Sequence, residues 1–218
     1  MIHAVILGGG EGRRFWPLSS KRSPKQFLSI SSDQPMIVET LRRIKGVVKP
    51  ERIHVATNHI YRKKAITCLK SEGLRERNFL FEPVAKNTFA PITLLTKEIY
   101  SKDKQAIVIV LPSDHYIKNT QRFRLILKKA LGPAEQGCIV TLGISPRGPE
   151  TGYGYLKTGR RTKSRYPLVE RFIEKPQAQR AQALIRTKGV YWNAGIFIFR
   201  ADIFLDQVKK LMPGSFRL

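Results

Sequence analysis

A short apolar run rich in β-branched residues, Ile2 to Leu7, passes directly into Gly8, Gly9, Gly10 and Gly12. Arg13 and Arg14 stand immediately behind, and Lys25 follows in Ser23-Pro24-Lys25-Gln26-Phe27. The run reads as a strand buried on both faces, as in the interior of a parallel sheet. Glycines let the chain turn sharply and bring bare N–H groups close to a ligand. Successive N–H groups pointing one way form an anion-binding nest, and Arg and Lys side chains add charge suited to a polyphosphate. The stretch predicts a phosphate loop at the carboxyl edge of a parallel sheet; the plainer alternative is a glycine-rich turn with solvated basic residues. A Walker loop needs Gly-x-x-x-x-Gly-Lys-Ser/Thr, which is not present. A dinucleotide fingerprint needs a third glycine where Arg13 stands and an acidic residue ending the next strand. That strand, Arg52 to Thr57, is followed by Asn58.

The elements that follow extend the same pattern. Pro35 to Ile44 reads as a helix with Met36, Ile37, Thr40, Leu41 and Ile44 on one side. Asn58 can cap the next helix, which Gly73 stops. Asn78 to Phe81 is a short strand ending in Glu82-Pro83. The next helix follows Lys86-Asn87-Thr88 and turns Phe89, Ile92, Leu95 and Ile99 inward. Ala106 to Leu111 is a continuous apolar run, hence a central strand, ending in Pro112-Ser113-Asp114-His115. A helix from Thr120 to Leu131 and a strand near Cys138 to Leu142 complete a β-α alternation. Beyond it come a strand to Leu156, a basic loop from Arg160 to Tyr166 and a strand from Leu168 to Ile173. A helix from Gln177 to Thr187, a strand from Val190 to Phe199 and a helix from Asp202 to Leu211 end the chain. The expectation is one mixed α/β domain over residues 1–218, mainly parallel and doubly wound (Rossmann-like). Residues 1–145, which carry the phosphate loop, form its nucleotide-binding half, and residues 146–218 its second part.

Composition narrows the class. Hydrophobic residues at 42% of 218 supply a sizeable core. No apolar run is long enough to cross a bilayer, and the start lacks a basic leader region, so no signal peptide is expected. Cys68 and Cys138 stand far apart without metal-ligand spacing. They read as ordinary buried thiols in a reducing compartment, with the cytoplasm as the default. Lys and Arg number 40 against 16 Asp and Glu, a net charge of +24, more than a triphosphate needs. Non-specific nucleic-acid binding is one reading of such charge. The clusters, Arg42-Arg43-Lys45 and Lys128-Lys129 among them, recur along the whole chain and cannot share one face. A solvated basic surface is the reading preferred.

The glycine-rich loop followed by Arg and a Pro-Lys pair resembles the sugar nucleotidyltransferase family. Phe15-Trp16-Pro17-Leu18-Ser19-Ser20 and Pro24-Lys25-Gln26-Phe27 look most like its mannose-1-phosphate guanylyltransferases. The resemblance implies transfer of GMP from GTP to mannose 1-phosphate, giving GDP-mannose and pyrophosphate, with Mg²⁺ as cofactor. Asp114 ends the central strand, where such sheets bind ligands. A carboxylate plus phosphates is the usual way to hold Mg²⁺, and aspartate also suits a turn or cap. By resemblance Asp114 is the metal ligand, and His115 beside it is structural. Arg13 would grip the triphosphate and Lys25 would bridge toward the reacting phosphate. Leu7, Gly8, Gly9, Gly10, Gly12 and Ser113 would line the nucleotide, with Glu82, Asn87 and Thr88 at the base. Gly154, Glu174, Lys175, Asn193 and Gly195 would hold the sugar phosphate. A sugar phosphate is already an anionic nucleophile, so such a site needs no general base.

Two departures stand beside the resemblance. The family's usual Arg before Asn-Thr is Lys86 here, which keeps the charge without the planar fork. No residue matches the family's second metal-binding aspartate, and the chain reads as truncated or naturally short relative to the family. Three alternatives therefore stay open. One is another nucleotide or hexose pair, another a nucleotide-sugar-binding homologue with little turnover, and the third a nucleic-acid-binding module. No membrane partner is expected, and a homo-oligomer is compatible with the sequence.

Overall fold

The first apolar run forms β1 (Ile2–Gly8), which lies between β2 (Ile53–Asn58) and β4 (Ile107–Pro112), with β3 (Phe79–Glu82) beyond β2. All these pairings are parallel, with Ala4 opposite Ile53 and Ile109. This position explains the apolar runs within β1 and β4: Ala4, Val5, Ile6 and Val108 to Leu111 are buried. The structure is a computed structural model that describes residues 1–9, 17–20, 23–30, 32–84, 87–161 and 166–216.

Helices cover both faces of this sheet. On one, Val5, Val108 and Val110 pack against Ile92, Leu95 and Ile99 of α3 (Phe89–Lys102), together with Phe199 and Ala201. Each such side chain contributes about 1.5–3 kcal/mol on burial. Pro91 is tolerated in α3 because the first turn of a helix has no intrahelical acceptor for its N–H groups. α1 (Met36–Ile44) and α4 (Thr120–Glu135) pack together, as do α3 and α6 (Ala201–Leu211). α2 (Arg62–Lys70) follows a 3-10 turn capped by Asn58, whose Oδ1 accepts from Ile60 N at 3.0 Å. α4 continues past Leu131 through Gly132 and Pro133. Pro133 and Ala134 are buried, and that packing outweighs the lost backbone bond. A short α7 (Pro213–Phe216) has no counterpart in the sequence pattern.

The chain separates into two compact units. The first comprises Met1–Val140 and Phe197–Leu218, the second Thr141–Ile196. The sequence reading places 146–218 together, whereas residues 197–218 belong to the first unit. The cause is β8 (Val190–Arg200), whose last residues pair antiparallel with β4, Phe197 opposite Val110 and Arg200 opposite Ile107. In the second unit β6 (Tyr155–Arg161) pairs antiparallel with β7 (Pro167–Ile173) and with the start of β8, and β5 (Val140–Ile144) also pairs with β8. Its core is Tyr155, Ile173, Ala181 and Val190, with Trp192 and α5 (Ala178–Ile185) against it. β6 takes in Arg160 and Arg161, read from sequence as loop. The two cysteines are not buried as expected. Cys68 is half-buried and Cys138 exposed, in the turn after Gly137, whose φ of +85° ends α4. No helix among the described residues is long and apolar enough to cross a membrane.

At the other end of β1, His3 is buried and stacked on His54, with Nδ1 of His3 and Nε2 of His54 3.4 Å apart. Burial, then the neighbouring His54, lowers the His3 pKa from 6.5 to about 4; Asp103 opposes the shift and Arg52 and the terminal amine add to it. Burial lowers His54 as well. In the unfolded chain His3 takes up its proton at the higher pH, so stability is lost as pH falls through the window from 6.5 to about 4. The urea midpoint of the wild-type chain is therefore expected to fall steeply between those values. His3→Gln is expected to flatten that slope, whatever it does to stability at neutral pH.

Candidate active site

The loop after β4 is fixed from two sides. Ser113 N donates to Leu7 O of β1 at 3.1 Å, and Ser113 O accepts from Thr40 Oγ1 of α1 at 3.2 Å. One helical turn on, Arg43 NH2 donates to His115 O at 2.9 Å. Both carbonyls flanking Asp114 are thus held by α1, and Asp114 projects from a peptide with little freedom. Its carboxylate is paired with Lys25 Nζ. Lys25 opens a 3-10 turn, Lys25–Phe27, in which Gln26 and Phe27 are buried and Lys25 is left at the carboxyl edge. Burial holds His115 well below the usual histidine range, with Asp114 opposing; it is neutral at pH 7, in keeping with a structural role.

The same turn reaches the glycine stretch. Gln26 Nε2 donates to Gly8 O at 2.6 Å and Thr57 Oγ1 to the same oxygen at 2.9 Å. In a trans peptide the C=O and the following N–H point in opposite directions. Fixing Gly8 O against Gln26 and Thr57 therefore turns Gly9 N–H the other way. Gly8 and Gly9 are described, whereas Gly10, Gly12 and Arg13 lie outside the described residues. Leu7, Gly8, Lys25, Ser113 and Asp114 are linked by these bonds. The backbone N–H of Ser113 is engaged, so its hydroxyl is the donor left for a ligand.

Glu82 ends β3, opposite Asn58 of β2. Its side chain is half-buried, and burial raises its pKa above the ordinary carboxylate value. Asn87 has a structural duty that the sequence did not suggest. Its Oδ1 accepts from Phe89 N at 3.1 Å and Ala90 N at 3.2 Å, capping α3. Only the Nδ2 donors of Asn87 remain for a ligand. Thr88 is exposed beside it and supplies a carbonyl to Ile92 N. No hydrogen bond among the described residues joins Asn87 or Thr88 to Glu82, Lys25 or Asp114.

The second unit brings together all five residues expected on the sugar side. Asn193 N donates to Gly154 O at 2.8 Å, and Gly195 N donates to Asn193 Oδ1 at 3.1 Å. Gly195 has φ +66°, a left-handed conformation that glycine adopts without a Cβ penalty. A Cβ on Gly154 would stand 2.9 Å from the Phe172 ring and 3.2 Å from Glu174 Oε2, so a larger residue there would displace both side chains. Glu174 and Lys175 form an exposed ion pair at 2.6 Å. Lys175 has φ +35° directly before Pro176, a conformation that non-glycine residues rarely adopt. Strain of this kind concentrates at functional positions.

Several of these side chains escaped the sequence reading. Arg43, grouped with Arg42 and Lys45 as solvated, is buried, and its pKa is lowered by that burial. Its spacing of three from Thr40 and seven from Met36, on the inward stripe, was the available signal. Arg42 and Lys45 also have partners, the carboxylate of buried Glu72 at 2.7 and 2.5 Å. Thr57 shares its strand face with Ile53 and Val55, which predicts burial but not a bond to Gly8. Among the described residues no group of three or more His, Cys, Asp or Glu could hold a metal. Asp114 is a single carboxylate, a set that fits a cation completing its shell with substrate phosphates and water.

Residues 3–215 match the family model described as Nucleotidyl transferase. The xanthan biosynthesis protein XanB of Xanthomonas campestris pv. campestris (strain B100) is 39% identical over 210 residues, 96% of this chain and 44% of that protein. Mannose-1-phosphate guanylyltransferase of Escherichia coli (strain K12) is 36% identical over 218 residues, 97% of this chain and 45% of that one. The chain spans about half the length of the curated relatives it matches. Among solved structures, one named mannose-1-phosphate geranyltransferase, from Thermus thermophilus, superposes with TM-score 0.89 at 32% identity. It covers 99% of this chain and 62% of its own.

The capping role of Asn87 separates fold from ligand binding. Asn87→Ala is expected to lower unfolding free energy by about 1 kcal/mol, and Asn87→Asp, which keeps the acceptor, to lose less. Urea denaturation without ligand checks both; equal losses would remove the cap.

Proposed function

Because the chain belongs to the nucleotidyl transferase family, we propose that it transfers GMP from GTP to mannose 1-phosphate, forming GDP-mannose and pyrophosphate. The observation that carries this reading is the Lys25–Asp114 pair. It is a cation and a carboxylate on a pinned strand end, tied through Gln26 to the peptide that opens the glycine stretch. Relatives named mannose-1-phosphate guanylyltransferase support the substrate pair.

In the proposed reaction a phosphate oxygen of mannose 1-phosphate attacks the α-phosphorus of GTP. The bond from that phosphorus to the bridging oxygen breaks, and the electron pair leaves with pyrophosphate. The nucleophile is already ionised, which fits the neutral His115 and a site without a placed base. The task is to bring two anions together and to stabilise charge on the transferring group. Gly9 N–H and Lys25 would meet GTP phosphates, and Arg13 is assigned the same duty by resemblance. Asp114 would hold a divalent cation, proposed to be Mg²⁺. When bound, the ion supplies charge neutralisation to the phosphates. Glu82 would accept from guanine N1–H and the 2-amino group, a pair of donors that adenine and the pyrimidines lack. In the second unit Lys175 would bind the phosphate of mannose 1-phosphate, and Glu174 its hydroxyls.

Pyrophosphate release from GTP, mannose 1-phosphate and Mg²⁺ tests the reading directly; binding without turnover would remove the transferase assignment and leave the nucleotide site. Lys25→Ala and Asp114→Ala are each expected to lower kcat by about a hundred-fold or more, and near-normal rates in either would remove its role. Lys175→Ala is expected chiefly to raise KM for mannose 1-phosphate. For Glu82 the sign follows from its raised pKa: acidification protonates it sooner than an ordinary glutamate, and guanine affinity is lost as pH falls through that value. Glu82→Gln should remove this pH dependence and narrow the preference for GTP over ATP. An unchanged profile would place the base elsewhere.

A further inference from the structure

Asn193 has its amide oxygen held by two donors of the second unit. Gly195 N–H can only donate, so the atom 3.1 Å from it is the carbonyl oxygen and the orientation of the amide is fixed by the backbone. The second donor is Thr141 Oγ1 of β5, 3.0 Å from Asn193 Oδ1 and 3.2 Å from Ile196 O. Thr141 is half-buried, and its single proton serves these two acceptors on β8. Among the described residues no acceptor takes Asn193 Nδ2. The side chain therefore presents two donors and no acceptor. Without Thr141 only the Gly195 bond would restrain the amide, and the side chain could rock about its outer torsion.

We propose that Thr141 is a positioning residue: with Gly195 it locks Asn193 so that Nδ2 meets an acceptor oxygen of the hexose 1-phosphate. The proposal rests on the reading of the second unit as the sugar side. It assigns Asn193 a sign, that of a donor to an oxygen lone pair, and it assigns Thr141 no contact with substrate. Neither its position in β5 nor its residue type distinguished Thr141 in the sequence. The pairing of β5 with β8, and the hydrogen bond itself, bring it to Asn193.

The test uses the 218-residue chain with Thr141→Val, which keeps the shape and removes the hydroxyl, Thr141→Ser, which restores it, and Asn193→Asp. Binding of mannose 1-phosphate is measured by calorimetry, and KM for each substrate by pyrophosphate release. Thr141→Val is expected to raise Kd and KM for mannose 1-phosphate about ten-fold, with kcat and KM for GTP little changed. Thr141→Ser is expected to recover most of that loss, which a general packing defect would not allow. Asn193→Asp can still accept from Thr141 and Gly195 but replaces the outward donor by an anionic acceptor. It should retain its melting temperature and lose mannose 1-phosphate binding. Wild-type affinity in Thr141→Val or in Asn193→Asp, or failure of Thr141→Ser to rescue, overturns the proposal. If the wild-type chain binds no mannose 1-phosphate, the reading of the second unit falls separately. A crystal structure of Thr141→Val then decides the positioning: a turned Asn193 amide supports it and an unmoved one overturns it.

Discussion

Two side chains of α1 decide where Asp114 stands. Thr40 and Arg43 lie one helical turn apart and take the carbonyls on either side of it, Ser113 O and His115 O. A strand end would otherwise fray into a loop, and a carboxylate on a loose loop could not hold a charge at a set distance from anything. Burying a guanidinium carries a cost, as the lowered pKa of Arg43 reflects. Its compensation is hydrogen bonds to a carbonyl and a hydroxyl, and burial without them would be expensive. Rigid support of the acidic residue thus comes from the element that also covers β1.

The short turn Lys25–Phe27 serves as a second junction. Consecutive residues on it face opposite ways, Lys25 onto the Asp114 carboxylate and Gln26 inward onto Gly8 O. The position of the ammonium and the orientation of the Gly8–Gly9 peptide are therefore not independent. A change that moves one moves the other, because both hang from a single turn whose Phe27 is anchored against Tyr61 and beneath Lys64. Thr57, from the end of β2, closes the arrangement from the opposite side.

How far the sequence carried the reading depends on what kind of pattern each feature leaves. Continuous apolar runs and the Asn58 and Gly73 signals were enough for the parallel strands and their helices, since burial on two faces writes itself into composition. The strand-end aspartate and the glycine stretch were visible as abrupt changes from apolar to polar or glycine. Partnership between distant residues leaves no such trace. Arg43 reads as one more basic residue until the helix is laid against β4. Nothing in the residue type of Asn87 shows that its oxygen caps α3. The return of residues 197–218 to the first unit depends on β8 being longer than one sheet edge needs, and the run Val190 to Arg200 does not say where along it the partners change. Residue type alone does not decide burial: the turn after Gly137 leaves Cys138 exposed.

Asn87 and Asn193 lead to a common argument about what the protein can recognise. Each is an amide with a donor and an acceptor to offer, and in each the fold consumes the acceptor, one at a helix start and one at a left-handed glycine. What remains is N–H. With Gly9 N–H in the first unit, and with Lys25 and Lys175 each paired with a single carboxylate, Asp114 and Glu174, donors outnumber acceptors among the groups proposed to meet substrate. The proposed substrates, a nucleoside triphosphate and a hexose phosphate, match such a set because they are rich in oxygen lone pairs. The acceptors in that set are carboxylates, Asp114 and Glu82 in the first unit and Glu174 in the second. A fold that spends its amide oxygens internally would disfavour ligands that are themselves mostly donors. It does so through backbone geometry, which a change of surface charge would not undo.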